Sequence, residues 1–369
     1  MNDMHVDLIG INGMTQGKLA AMLANNGRLN AHAMRPWIED DGETYVSVYK
    51  GGDPKKEESY GVKQIQTNGT LRREEWMALD EAIVEIRRGR LGGVEDLISR
   101  GLTYNLGNAM GTTVLEWHDV SDAMEAEMSM DGVTRGKGDR VDFKHNYLPI
   151  PILHVDYEIN ARVLAASRNM GNPLDTTSAE RAARRILEKQ ENMLFTDTTY
   201  SFGAKDSRDR NTIYSYVNYP DRNILSLGTH WNDLSVGELG DKIIDDVVRA
   251  KSAMISKYFY GPFQLYIPTA YETVLDKDYN QTTPGTTIRE RIMKIDKIAG
   301  IKVIDTLTAD NILMVQLTSD VVRLVQGMGL TNIEMKTEFD MVTKYKVMAI
   351  QVPQIRSDQE GRCGIVHMA

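Results

Sequence analysis

Residues 148–197 read LPIPILHVDYEINARVLAASRNMGNPLDTTSAERAARRILEKQENMLFTD, and their reading decides the architecture. From Leu174 onward they contain the best helix in the chain. Thr177 and Glu180 have capping-box spacing, where the hydroxyl takes one orphan backbone N–H and the carboxylate another. Ala179, Ala183, Ile186, Leu187, Gln190 and Leu194 recur on one face, and Arg181, Arg184, Arg185 and Glu188 fill the others. At ~1.5 Å per residue this predicts a rod of roughly 25 Å or more, long enough to act as a spine.

Downstream, Ser235 and Glu238 repeat the capping pattern ahead of Leu239, Ile243, Val247 and Met254. Gly261 and Pro262 lead into an expected strand, FQLYI at 263–267. A short helix is expected near Tyr271, and another starts at Thr287 with Ile288, Ile292 and Ile295 on one side. Strands at 301–304 and 312–317 complete an α/β unit. The remainder, from VVRLVQ at 321–326 to CGIVHM at 363–368, is strand-like, so a sheet is completed by segments distant in sequence. QGMGL at 326–330 has the look of a turn.

Upstream, Trp76, Leu79, Ile83 and Ile86 define a helix starting near Arg73. Gly92 and Gly93 interrupt it, and a short helix through Val94, Leu97 and Ile98 ends at Gly101. Residues 112–150 form an out-and-back excursion with few core residues. Strand-like runs around Val114–Trp117 and Val141–Phe143 flank an acidic stretch and then a basic one. Either it is a surface hairpin with a solvated tip, or it lies on a neighbouring subunit. In the second case Asp122, Glu125, Glu127, Asp131, Arg135, Lys137 and Arg140 are the candidate intersubunit contacts. Residues 1–70 read poorly as a compact domain, and are either a flexible tail or an arm that orders against neighbours.

Composition bounds the function. Hydrophobic content of 41% and charged content of 26% are those of a globular protein with a real core. Neither a membrane-length apolar run nor a signal-peptide pattern is visible, and one cysteine, Cys363, excludes an internal disulfide and points to a reducing cytoplasm. A net charge of −9 argues against a protein whose main task is gripping phosphate backbones. Twenty methionines against six phenylalanines suit adaptable cores and interfaces.

Catalytic patterns are missing. The seven histidines make no HExxH or HxH, and no nucleophile elbow, P-loop or dinucleotide fingerprint occurs. Cys363 is expected as a buried inert thiol, and the adjacent Asp245 and Asp246 as solvated surface. The expectation is therefore no catalytic residue, no cofactor and no metal.

Residues 148–197 also carry a resemblance. Their alternating strand (Ile152, Val155, Tyr157, Ile159), short helix at Leu164, turn at Pro173–Leu174–Asp175 and long helix ending Glu188, Glu191, Leu194, Phe195 resemble the core of encapsulins and encapsulin-like capsid proteins of the Hong Kong 97 type. LRREEWMALDEAIVEIRRGRLGGVEDLISRG at 71–101 is similar to that family's first helix, and YFYGPFQLYIPTAYETVLD at 258–276 to its strand–helix element.

The resemblance implies an α+β fold with an N-terminal arm (1–70), a start of the peripheral domain (71–111), an E-loop (112–150), the peripheral domain with spine helix 177–195 (151–235), an axial domain (236–325) and C-terminal strands returning to the peripheral domain (326–369). It further implies a major capsid protein, not an enzyme. Such a protein self-assembles as hexamers and pentamers into an icosahedral shell around phage double-stranded DNA, in contact with portal, scaffold and cement proteins. It would be made in the bacterial host cytoplasm and end in the virion. The alternative is an encapsulin-type nanocompartment around a cargo enzyme. Encapsulins usually start close to the first helix, so the ~70 residues ahead of it favour the phage capsid. Some relatives lock their shells by a Lys–Asn isopeptide bond, for which Lys137 or Lys144 with Asn332 are the residues to inspect.

Overall fold

The computed structural model describes residues 37–39, 43–50, 60–65, 71–86, 92–107, 110–120, 143–170, 176–197, 199–203, 211–234, 237–279, 285–338, 341–358 and 360–369. Three strands come first, β1 (Trp37–Ile38), β2 (Thr44–Tyr49) and β3 (Tyr60–Ile65), in one antiparallel sheet. This sheet lies inside the segment that reads as a tail or arm. Trp37 is buried with Leu71 and Trp76 in the cluster that holds the long helix. A single anchoring Trp in a polar context is too weak a periodic signal to be read ahead of the fold.

Helices α1 (Arg73–Ile86) and α2 (Gly92–Ser99) follow, then β4 (Thr103–Asn105), with Gly101 in the left-handed region at φ 70° where the helix stops. Strands β5 (Val114–Val120) and β6 (Phe143–Pro149) form an antiparallel ribbon in register from Val114↔Pro149 to Val120↔Phe143. Strand β7 (Leu153–Asn160) runs straight into α3 (Ala161–Met170). The long helix α4 (Thr177–Phe195) has 19 residues and spans about 28 Å.

Its N-terminus differs from the expectation by one residue. Thr176 is the N-cap, and its hydroxyl donates to Glu180 Oε1 at 2.6 Å instead of accepting a backbone N–H. The polar run TTS lets the cap slide one position without changing the buried face. That face is as expected, and Ala182, Glu191, Met193 and Phe195 join it.

Two more short strands, β8 (Tyr200–Phe202) and β9 (Asn211–Ile213), pair with each other, and β10 (Asn223–Leu225) opens the second half. There α5 (Leu239–Ile255), β11 (Phe263–Pro268), α6 (Glu272–Leu275), α7 (Ile288–Met293), β12 (Ile298–Ile304) and β13 (Ile312–Gln316) alternate. Helix α5 starts at Leu239 with Glu238 as its N-cap and a turn at 237–238, later than the expected start at Ser235, which itself lies outside the described residues. Thr287 does cap α7, accepting the Glu290 N–H at 3.2 Å. Strands β11 and β12 are parallel, as a helical crossover requires, and β13 runs antiparallel to β11.

The last strands are β14 (Val322–Glu338), β15 (Val342–Ile355) and β16 (Ile365–Met368). Strands β14 and β15 make a long hairpin with register shifts at Gln326/Met328 and Met328/Thr331. QGMGL is thus a bulged strand and not a turn: glycine next to an unbranched Met lets one strand absorb extra residues while pairing continues. The hairpin sits in a four-stranded sheet ordered β4-β14-β15-β7, with α1 and α4 packed on it through Trp76, Leu79, Ala183 and Ile186 against Tyr157, Tyr345 and Val347. This is the first half of the fold.

The second half, expected as the axial domain, is a five-stranded sheet ordered β10-β16-β13-β11-β12, with α5 to α7 packed through Ile243, Val247, Ile288 and Ile292. Here the expectation that residues 326–369 all return to the peripheral domain is corrected. Ile365–Met368 insert between β10 and β13, because Ile365, Val366 and Met368, with His367 buried among them, fit an interior strand covered on both faces.

Candidate functional site

The two halves meet at the C-terminal end of α4. Phe195, Leu194, Tyr216 and Tyr266 share one apolar cluster with Val94 and Leu97 of α2 and Leu313 of β13. Phe195 stands edge-on to Tyr216 and to Tyr266, at centroid distances of 5.5 and 5.0 Å.

A buried polar node threads this cluster. The Glu191 carboxylate accepts the backbone N–H of Gly93 at 2.9 Å and of Val94 at 3.3 Å, and so caps α2 from the side of α4. Burial pushes its carboxyl above the ordinary range, and the two N–H groups oppose that shift. One turn along, Asp96 accepts from the Tyr266 hydroxyl at 3.0 Å and pairs with Lys302 Nζ at 2.7 Å on β12. Arg100 Nη2 donates to Gln264 Oε1 at 3.0 Å. One residue of the long helix, one short helix and the strands β11 and β12 are thereby fixed together. A Cβ at Gly93 would overlap the Phe195 ring, so only glycine permits this approach.

The predicted contact residues Asp122, Glu125, Glu127, Asp131, Arg135, Lys137 and Arg140 all lie outside the described residues. What is described is the base of the excursion, the β5–β6 ribbon. On one face of it Glu116 stands opposite Tyr147 and His118 opposite His145. His145 Nδ1 is 2.8 Å from Glu116 Oε1, and the two imidazoles meet edge-on with centroids 4.4 Å apart. The His145 hydrogen bond holds the exposed Glu116 carboxyl below its ordinary range. The histidine motifs sought in the sequence could not find this group, because its members come from paired strands 27 residues apart at the histidines.

Large apolar side chains are exposed at Ile152 before β7, Val163 on α3, Tyr200 and Phe202 on β8, and Tyr258 and Tyr260 beyond α5. Asp246 corrects an expectation: unlike the exposed Asp245 it is buried, accepting the Trp231 indole N–H at 3.1 Å with Arg249 3.2 Å away. Cys363 is buried, and desolvation pushes its thiol up to about 12, the profile of an unreactive cysteine. Asn332 is also buried, its amide donating to the Tyr157 hydroxyl at 2.5 Å, while Lys137 lies outside the described residues. Among the described residues no helix is long and apolar enough to cross a membrane.

Two solved structures share this arrangement. The virus-like particle from Pyrococcus furiosus is 17% identical, with a TM-score of 0.56, over 80% of this chain and 100% of that one. The capsid of Myoviridae phage XM1 is 11% identical, with a TM-score of 0.55, over 73% of this chain and 90% of that one. The fold is therefore the Hong Kong 97 type, a mixed α+β capsid fold. Residues 65–368 match the model of a family described as "Family of unknown function (DUF6260)", and the chain belongs to that family. No curated protein matches it.

Proposed function

We propose that this chain is a major capsid protein whose copies assemble as hexamers and pentamers into an icosahedral shell around phage double-stranded DNA. The observation that carries the reading is the Hong Kong 97-type fold itself, shared over most of the chain with the Pyrococcus particle and the phage XM1 capsid. Head-to-tail docking of such copies closes into rings, and extensions laid over neighbours add area to each contact. A standard stable interface buries ~1,600 Å² in total, and a subunit held at several points exceeds that. A shell subunit needs no reactive centre, so its activity is assembly and not catalysis. Portal, scaffold and cement proteins are the expected partners, and the virion the destination.

The β1–β3 sheet supports a phage capsid over a compartment, because encapsulins commonly begin near the helix equivalent to α1. The second reading, an encapsulin-type shell around a cargo enzyme, draws on the coverage of the whole Pyrococcus particle chain. Electron microscopy of the purified protein tests the first step: hollow particles or free hexamers are expected, and a monomer at every concentration would refute assembly. Nuclease-protected double-stranded DNA inside particles from the native source separates the phage capsid from the compartment, which would hold protein.

A further inference from the structure

The β5–β6 ribbon carries a donor set that the shell reading does not use. Its ligand-type atoms on Glu116, His118 and His145 all lie within 4.8 Å of one another, and all three side chains are exposed. The other described surface histidines have one acidic partner each: His154 lies 3.7 Å from Asp156, and His230 lies 3.6 Å from Asp310. Only on the ribbon, among the described residues, does a third donor complete the set.

We propose that Glu116, His118 and His145 bind one divalent ion of the zinc class. Two imidazoles and a carboxylate are the donors that borderline first-row ions prefer, whereas magnesium and calcium prefer oxygen alone. At about 2.0–2.2 Å per bond, two ligands of one ion sit up to about 4 Å apart. Glu116 and His145, 2.8 Å apart, already meet that limit. Rotation of an exposed imidazole brings in the third donor without moving the backbone. Strand pairing sets the rest: His118 and His145 are directly opposed, and Glu116 is two residues before His118 on the same face. Tyr147, opposite Glu116, hydrogen-bonds its carboxylate and so orients it from outside the ligand set. Three protein ligands leave a fourth tetrahedral position to water. The bound ion would clamp the ribbon at its base.

The proposal does not depend on the shell reading, and its test uses the full-length unassembled subunit after chelator treatment. Zinc chloride titration by calorimetry should show one ion per chain, and cobalt(II) should give the intense visible band of a four-coordinate site. His118→Ala and His145→Ala should each weaken zinc binding at least about tenfold and abolish the cobalt band. Glu116→Gln, which keeps the side-chain length, should weaken it as well, and His154→Ala should change nothing. Circular dichroism confirms that each variant is folded. Zinc binding weaker than about 100 μM would overturn the site. So would unchanged binding in both histidine variants, or magnesium competing at equal concentration.

Discussion

His367 makes the second half of the fold acid-sensitive, and the size of the effect follows from its surroundings. It lies on the interior strand β16, with Arg222 Nε donating to its Nδ1 at 3.3 Å and Asn311 Oδ1 2.6 Å from its Nε2. Because the guanidinium can only donate, Nδ1 is the acceptor and Nε2 carries the proton. Burial, and then the Arg222 charge, pull the imidazole from its usual 6.5 down to about 4. A histidine held neutral by the fold stabilises fully above the unfolded value and loses that contribution as pH falls from 6.5 towards 4, because only the unfolded chain takes up the proton. At pH 5 the loss works out at about 2 kcal/mol, since each tenfold difference in proton affinity is worth about 1.36 kcal/mol. Replacing His367 with Gln keeps a donor and an acceptor but removes the titration. Urea unfolding of the unassembled subunit, followed by fluorescence of Trp231 in the same half, should therefore show that wild type loses about 2 kcal/mol more than His367→Gln between pH 7 and pH 5. Equal losses in the two proteins would refute the reasoning.

Three further outcomes follow from contacts described above. Glu191→Ala leaves the Gly93 and Val94 N–H groups without their acceptor and should destabilise the subunit by about 2 kcal/mol in the same urea assay. Gly93→Ala drives a Cβ into the Phe195 ring and should cost about 1–3 kcal/mol, with a Gly93→Ala/Phe195→Leu double variant recovering part of it. Deleting residues 118–140 should leave a folded, soluble subunit that fails to assemble, and normal particles from that variant in electron micrographs would remove the ribbon from the assembly mechanism.

Periodic features were legible in the sequence. The buried faces of α1 and α4 and the start of α7 at Thr287 needed only local spacing, since helix burial repeats every three or four residues whatever the partner. Two features that depend on distant partners were not legible. Nothing near residue 365 says that β16 slots between β10 and β13, and nothing near residue 326 distinguishes a bulge from a turn until the long partner strand is in place. The candidate site divides in the same way. Glu191 stood out as part of the motif ending α4, but its task of capping α2 is set by a glycine 98 positions earlier. Asp246 looked like surface because its neighbour is charged, yet helical geometry turns adjacent residues about 100° apart and aims one of them at Trp231. Glu116, His118 and His145 become a group only when two strands pair.

The position of β16 orders how the molecule can be made. Strands β11 and β13 leave the ribosome well before their shared sheet can be filled, because β16, which sits between β10 and β13, is translated after both arms of the long β14–β15 hairpin. Until then β13 presents a bare edge to the cell, open to mispairing with other nascent chains. The second half therefore cannot mature as an independent module during synthesis. Both halves of the fold thus finish together.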